Sequence, residues 1–243
     1  MKEQYVGDVN DYRKFALMRR LAGSKIGICW MLTPPDGRGD GEIAGYLDRP
    51  QQWAPYDPEL FDLLHEIRKE GGPLRLRHLE KSGIISGATY FNEFISDRES
   101  LRRAYFDVGM DDLAKTDLIF FDPDNGIDVP SIAKRAKGSS KYLYRDELAL
   151  TYQRGHSVLL YQHFVREGRD GFIGRIGTDI ASVAPGAILW AFRAPHAVFF
   201  LAVHPRHHNT LGPAADAASS NWESSFIVGQ QIANPTVSAL SLG

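Results

Sequence analysis

The sequence is poor in several features that would narrow its chemistry at once. It has a single cysteine, Cys29, so no intramolecular disulfide can form, and no Cys/His set has zinc spacing. Cys29 lies in an apolar run and reads as an inert core thiol. Charge of one sign does not prevail: 28 Lys and Arg against 30 Asp and Glu give a formal net charge of -2 and a pI near 6.4. The global basic excess of a dedicated nucleic-acid binder is therefore missing, which still leaves room for an enzyme with a local basic patch. No apolar run approaches bilayer-spanning length; Val198 to Val203 is far too short. The opening Met-Lys-Glu-Gln-Tyr has no apolar core of the signal-peptide kind, so a cytoplasmic protein with no membrane partner is expected. Internal repeats, a Walker Gly-Lys-Ser/Thr ending and the dinucleotide glycine spacing are absent. So is a Gly-x-Ser-x-Gly nucleophile elbow, which argues against an esterase or lipase.

What is present is an ordinary globular composition, 43% hydrophobic and 24% charged, in 243 residues. Helical spacing of Phe15, Leu17, Met18 and Leu21 predicts a helix over 11–21, and Leu60, Phe61, Leu64 and Ile67 predict another over 58–69 with Asp57 as N-cap. Further helices are expected over 98–106, 146–153 and 170–182, the last weakened by Gly174 and Gly177. Continuous apolar runs over 26–32, 116–121 and 157–162 read as buried parallel strands. The runs 187–192 and 197–203, separated by Arg193-Ala194-Pro195-His196, suggest an antiparallel hairpin. The expected fold is therefore α/β: a mixed, mostly parallel sheet with helices on both faces and a C-terminal antiparallel hairpin. Residues 1–212 are expected to form one domain, followed by a tail over 213–243 that docks through Trp222 and Phe226 or is disordered.

Ligands of open α/β sheets bind beyond the carboxyl ends of the strands, which draws attention to three segments. The first is Thr33 followed by the glycine-rich Asp36-Gly37-Arg38-Gly39-Asp40-Gly41, whose backbone amides suit a cofactor; Thr33, Asp36, Gly37 and Gly39 are its candidate contacts. The second is Asp122-Pro123-Asp124-Asn125-Gly126, where two carboxylates and an amide crowd one turn after an apolar strand. Asp122 is the candidate catalytic group there, with Asp124 and Asn125 as substrate contacts, although Pro-Asp-Asn-Gly is also good turn chemistry. The third is Gln162-His163, with Gln162 as a substrate contact and His163 as a candidate catalytic base able to titrate beside Asp122. His204-Pro205-Arg206-His207-His208 looks like metal-ligand material but reads better as a solvated turn. The basic helix carrying Arg13, Lys14, Arg19 and Arg20 is expected to be a solvated face, with a nucleic-acid face as the alternative.

Tyr5-Val6-Gly7-Asp8-Val9-Asn10-Asp11-Tyr12-Arg13-Lys14 resembles the opening motif of a bacterial family of 23S rRNA adenine-N6 methyltransferases, His-Ala-Gly-Asn-x-x-Asp-x-x-Lys-His, with Gly7, Asp11 and Lys14 matching. Where that family has an Asp-Pro-Pro-Tyr turn, this chain has Asp122-Pro123-Asp124-Asn125. The resemblance implies a class I methyltransferase fold, S-adenosylmethionine as cofactor, Lys14 at the cofactor and Asp122 at the target amine. Asp124 and Asn125 remove the ring on which a flipped adenine would stack, so the acceptor is left as a nucleic acid or something nucleotide-like. Two other expectations stand beside this one. Asp122 and Asp124, with Asp8 or Asp11, would hold magnesium or manganese in a metal-dependent nuclease or phosphodiesterase. The third is a non-catalytic, methyltransferase-like partner subunit.

Overall fold

The computed structural model describes residues 1–2, 6–21, 23–34, 44–69 and 75–232. Helix α1 (Val9–Arg20) starts at Asp8, whose side chain accepts hydrogen bonds from the Asn10 and Asp11 amides at 2.8 Å each. Strand β1 (Ile26–Cys29) is wholly buried. It stops three residues short of its expected end because Met31 turns into the left-handed region, with φ of 48°. A short turn, α2 (Pro50–Trp53), leads to α3 (Pro58–Lys69), where the Asp57 carboxylate accepts from the Leu60 amide at 3.3 Å as an N-cap should.

Two elements without a strong sequence pattern follow, α4 (Leu76–Ser82) and β2 (Thr89–Phe91). Helix α5 (Glu99–Asp112) runs six residues past its expected end, and Gly109 in that extension lets it lie close on Phe91, whose ring any β-carbon would meet at 2.8 Å. Then come β3 (Leu118–Phe121), the two-residue strands β4 (Gly126–Ile127) and β5 (Tyr142–Leu143), and α6 (Arg145–Gln153). Strand β6 (Ser157–His163) is followed by α7 (Arg169–Val183), β7 (Ile188–Arg193) and β8 (Ala197–Val203). Helix α8 (His208–Ser220) and strand β9 (Val228–Ile232) complete the described chain.

The seven-stranded sheet has the order β2-β1-β3-β6-β8-β7-β9. The first four are mutually parallel, with Ile28 opposite Phe120 and Phe120 opposite Leu159. The hairpin then enters in reverse order, so β8 lies antiparallel between β6 and β7. Strand alternation divides the core cleanly. Ile28, Phe120, Leu159 and Tyr161 face α1, α3, α4 and α8. Cys29, Ile119, Phe121 and Leu160 face α5, α6 and α7. Each such buried Phe or Leu contributes about 1.5–3 kcal/mol of burial, which explains why the middles of these strands are apolar and polar residues of β6 fall at its ends.

The described part of the C-terminal segment docks through Trp222 and Phe226, one of its two expected states, and has more regular structure than expected. Residues 213–232 are mostly helix and edge strand: β9 pairs antiparallel with β7, and Phe226 is fully buried with its ring stacked 4.2 Å from Tyr56. Gly177 is part of the reason. A β-carbon there would press on Ile232 at 3.2 Å, so the glycine that weakens α7 as a helix lets β9 close on it. No helix among the described residues is long and apolar enough to cross a membrane.

Candidate functional site

The carboxyl ends of β1, β3 and β6 lie side by side, and the amino-terminal half of α1 crosses them. At the end of β1 the left-handed Met31 costs about 1–2 kcal/mol of backbone strain for an L-residue. The bend turns the carbonyls of Trp30 and Met31 toward one point. The α-ammonium of Met1 sits there, donating to Trp30 O at 3.2 Å, Met31 O at 2.9 Å and Asp122 O at 2.8 Å. Asp124 Oδ1 stands 3.0 Å from the same nitrogen. Burial pulls this ammonium below its ordinary pKa, and the carboxylates of Asp122 and Asp124 resist. Three carbonyls and a carboxylate thus surround a primary ammonium.

Beside it lies a buried ion cluster. Lys14 Nζ donates to Asp11 Oδ1 at 2.8 Å and to Asp122 Oδ2 at 2.7 Å, and stands 4.4 Å from the centre of the Tyr161 ring. Asp11 also accepts from the Gly7 amide at 2.9 Å. Burial disfavours the Lys14 charge, but Asp11 and Asp122 outweigh it and hold the ammonium well above the usual lysine range. The same burial pushes Asp11 and Asp122 upward, against Lys14. Lys14 and Asp122, expected at a cofactor and at a target amine, are here bound to each other. The Asp122 carboxylate, 1% exposed, is spent on Lys14 rather than open to a substrate amine.

The rest of the turn divides by role. Asp124 Oδ2 accepts from Thr33 Oγ1 at 2.8 Å, which joins the first and second strand ends directly. Gly126 has φ of 110°, and a β-carbon there would fall 2.1 Å from Gln162 Oε1. Only glycine fits that approach. Gln162 is buried and accepts from the Ile127 amide at 2.8 Å while donating to the carbonyls of Asn125 and His163 at 3.0 and 2.9 Å. Its amide therefore clamps the turn, where the sequence suggested a substrate contact. The Asn125 backbone amide donates to Lys141 O at 2.9 Å, and its half-buried side chain has no hydrogen-bond partner among the described residues.

His163 stands at the rim, exposed, with Nε2 3.3 Å from the Tyr161 hydroxyl. Desolvation and the nearby Lys14 charge pull its pKa below the ordinary value, partly offset by Asp122 and Asp124. It faces the same cluster as Asp122 without bonding to it. Asp36, Gly37 and Gly39 lie outside the described residues.

Helix α1 is not the solvated basic face its composition suggests. Arg13 is buried and donates to Phe226 O at 3.1 Å; Arg19 binds Asp57 at 2.8 Å and Glu59 at 2.5 Å. Only Arg20 of the four is exposed. Among the described residues no three His, Cys, Asp or Glu side chains converge to hold a metal ion. Where the strand-end carboxylates do converge, ammonium groups already lie between them.

The Trp30 and Met31 carbonyls, the Tyr161 ring and the Met1 amine have no sequence signal. Backbone groups look alike in every sequence, and Tyr161 reads as one more apolar residue of a strand. The chain matches no known family model and no curated protein.

Proposed function

We propose that this chain is a methyltransferase-like enzyme that takes S-adenosylmethionine and passes its methyl group to an amine of a nucleic acid or nucleotide-like acceptor. One observation carries the reading. The α-ammonium of a methionine is seated beyond β1 by Trp30 O, Met31 O, Asp122 O and Asp124. The methionyl end of S-adenosylmethionine bears the same group, so the donor set suits it, with the ligand replacing Met1. The opening motif on α1 and the antiparallel strand between β6 and β7 agree with this reading.

When bound, S-adenosylmethionine would supply an electrophilic methyl group. The chain's own part is mostly positioning. Lys14 fixes Asp122 and so the carbonyl that forms one wall of the cradle. Gln162 and Gly126 fix the turn that carries Asp124 and Asn125. The free amide of Asn125 is suited to accept a hydrogen bond from the acceptor amine. His163, biased toward its neutral form, is suited to take the proton that the amine gives up.

The metal-dependent nuclease reading draws on Asp122 and Asp124 as well. It gains nothing from their geometry, because Lys14 and the Met1 ammonium already balance them. Calorimetric titration tests the proposal: saturable binding of S-adenosylmethionine, weakened about tenfold by Asp124→Asn, is expected. No heat at millimolar ligand overturns it.

A further inference from the structure

The amino-terminal end of the central strand β6 lies at the opposite end of the strands from the candidate site and carries its own polar cluster. The histidine-rich segment after β8, expected as a solvated turn, is tied down there. His204 Nδ1 accepts from the Arg206 amide at 3.2 Å, capping the single 3-10 turn Pro205–His207 that runs straight into α8. The His204 amide donates to Ser157 Oγ at 3.0 Å, and Ser157 is completely buried. That hydroxyl is also 2.9 Å from His207 Nδ1, and His208 Nε2 is 3.2 Å from Val203 O. A backbone amide is always a donor. His204 Nδ1 must therefore keep its lone pair, and a protonated ring would set one N–H against another.

The surroundings favour the neutral ring. His204 is faced by His207 and His208 from its own segment, by Arg206, and by His156 from the start of β6. Its ring packs 4.7 Å from that of Tyr152 on α6. The nearby carboxylate, Asp117, lies 3.7 Å from His207 Nε2 and so serves the other histidine. Arg154 adds further positive charge beside His156.

We propose that His204 is an acid-sensitive latch, whose neutral ring caps the turn that starts α8 and whose protonation frees the α8–β9 segment from the sheet. That segment has a real hold to lose: Leu211, Ala215 and Phe226 are in the core beside α1, and β9 is paired along β7. Burial first, and then the neighbouring His207 and Arg206, lower the His204 pKa from 6.5. A depressed folded-state value makes the cap fully effective above the unfolded-state value and lost as pH falls through the folded one.

Thermal melts of the full chain at about pH 7.5 and 5.5 test the latch with His204→Asn and His204→Ala. Asparagine places Oδ1 where Nδ1 was and does not titrate. The wild type should lose about 2–4 °C more than His204→Asn on acidification. His204→Ala should melt lower than wild type already at the higher pH. If His204→Asn shows the wild-type pH dependence, the latch is wrong. Should the variants fail to fold, the Arg206 amide resonance of the wild type decides. It should shift with the titration of the His204 ring, and an amide that stays put through that titration overturns the proposal.

Discussion

Two buried cations hold this molecule together in opposite ways. Arg102, 1% exposed on α5, donates to Glu147 Oε1 and Oε2 at 2.6 and 2.8 Å, to Ser139 O at 3.0 Å and to Tyr142 O at 2.6 Å. One guanidinium meets one carboxylate as a bidentate pair, and its remaining donors tie down the segment that forms β5. Four of its five N–H groups are taken up by the fold itself. Lys14 stands between two carboxylates, with Asp8 and Asp124 close by and a strained Met31 next door. Burial alone does not mark a site. The marks here are an excess of carboxylates over fixed cations, a cradle of carbonyls, and backbone strain where one strand ends.

Substitutions can break that comparison in order of effect. Arg102→Leu leaves Glu147 in the core with only Lys134, at 3.2 Å, as its cation and should cost about 3–5 kcal/mol in urea unfolding. It should leave ligand affinity unchanged in conditions where the variant is folded. Lys14→Met should cost about 3 kcal/mol at neutral pH and less in acid. Without Lys14, Asp11 and Asp122 have folded-state pKa values raised further above the ordinary 3.8. A raised folded value means stability is lost as pH rises through it, so these two groups return stability to this variant as pH falls from 7 toward 4. The lowered values of His156, His163, His204 and His207 work the other way below neutrality in both proteins, so the contrast is relative: acidification should cost Lys14→Met less than it costs the wild type. Equal losses for Lys14→Met at both pH values would contradict the cluster.

Gly126→Ala forces a side chain into the left-handed region and against Gln162, and should cost about 1–3 kcal/mol by the same unfolding assay. The smallest effect belongs to Asp124→Asn, within about 1 kcal/mol of wild type in stability because the amide can keep the Thr33 hydrogen bond and three carbonyls still hold the Met1 ammonium. Its loss should appear in ligand affinity instead. That separation between stability and binding is the sharpest contrast with Arg102→Leu.

The α/β architecture was legible because each buried strand is a continuous apolar run and each expected helix has a one-sided stripe. Asp122 stood out for the same reason: a carboxylate after Ile119-Phe120-Phe121 has no apolar account. The edges were harder. Strand β2, three residues long and half-exposed, carries no pattern, and β9 is Val-Gly-Gln-Gln-Ile, which reads as a polar tail until Gly177 makes room for it. The basic residues of α1 misled because composition cannot tell a lysine facing solvent from one facing two buried aspartates. Gln162 was noticed by its place at a strand end, but its partners are backbone groups that only the fold brings near.

The central claim is that the end of β1 is a seat for a methionyl α-ammonium. Calorimetry with S-adenosylmethionine and with 5′-methylthioadenosine, which shares the nucleoside and lacks the amino-acid end, tests it most directly. S-Adenosylmethionine should bind at least about tenfold more tightly. Equal affinity for the two, or no binding of either, would contradict the claim.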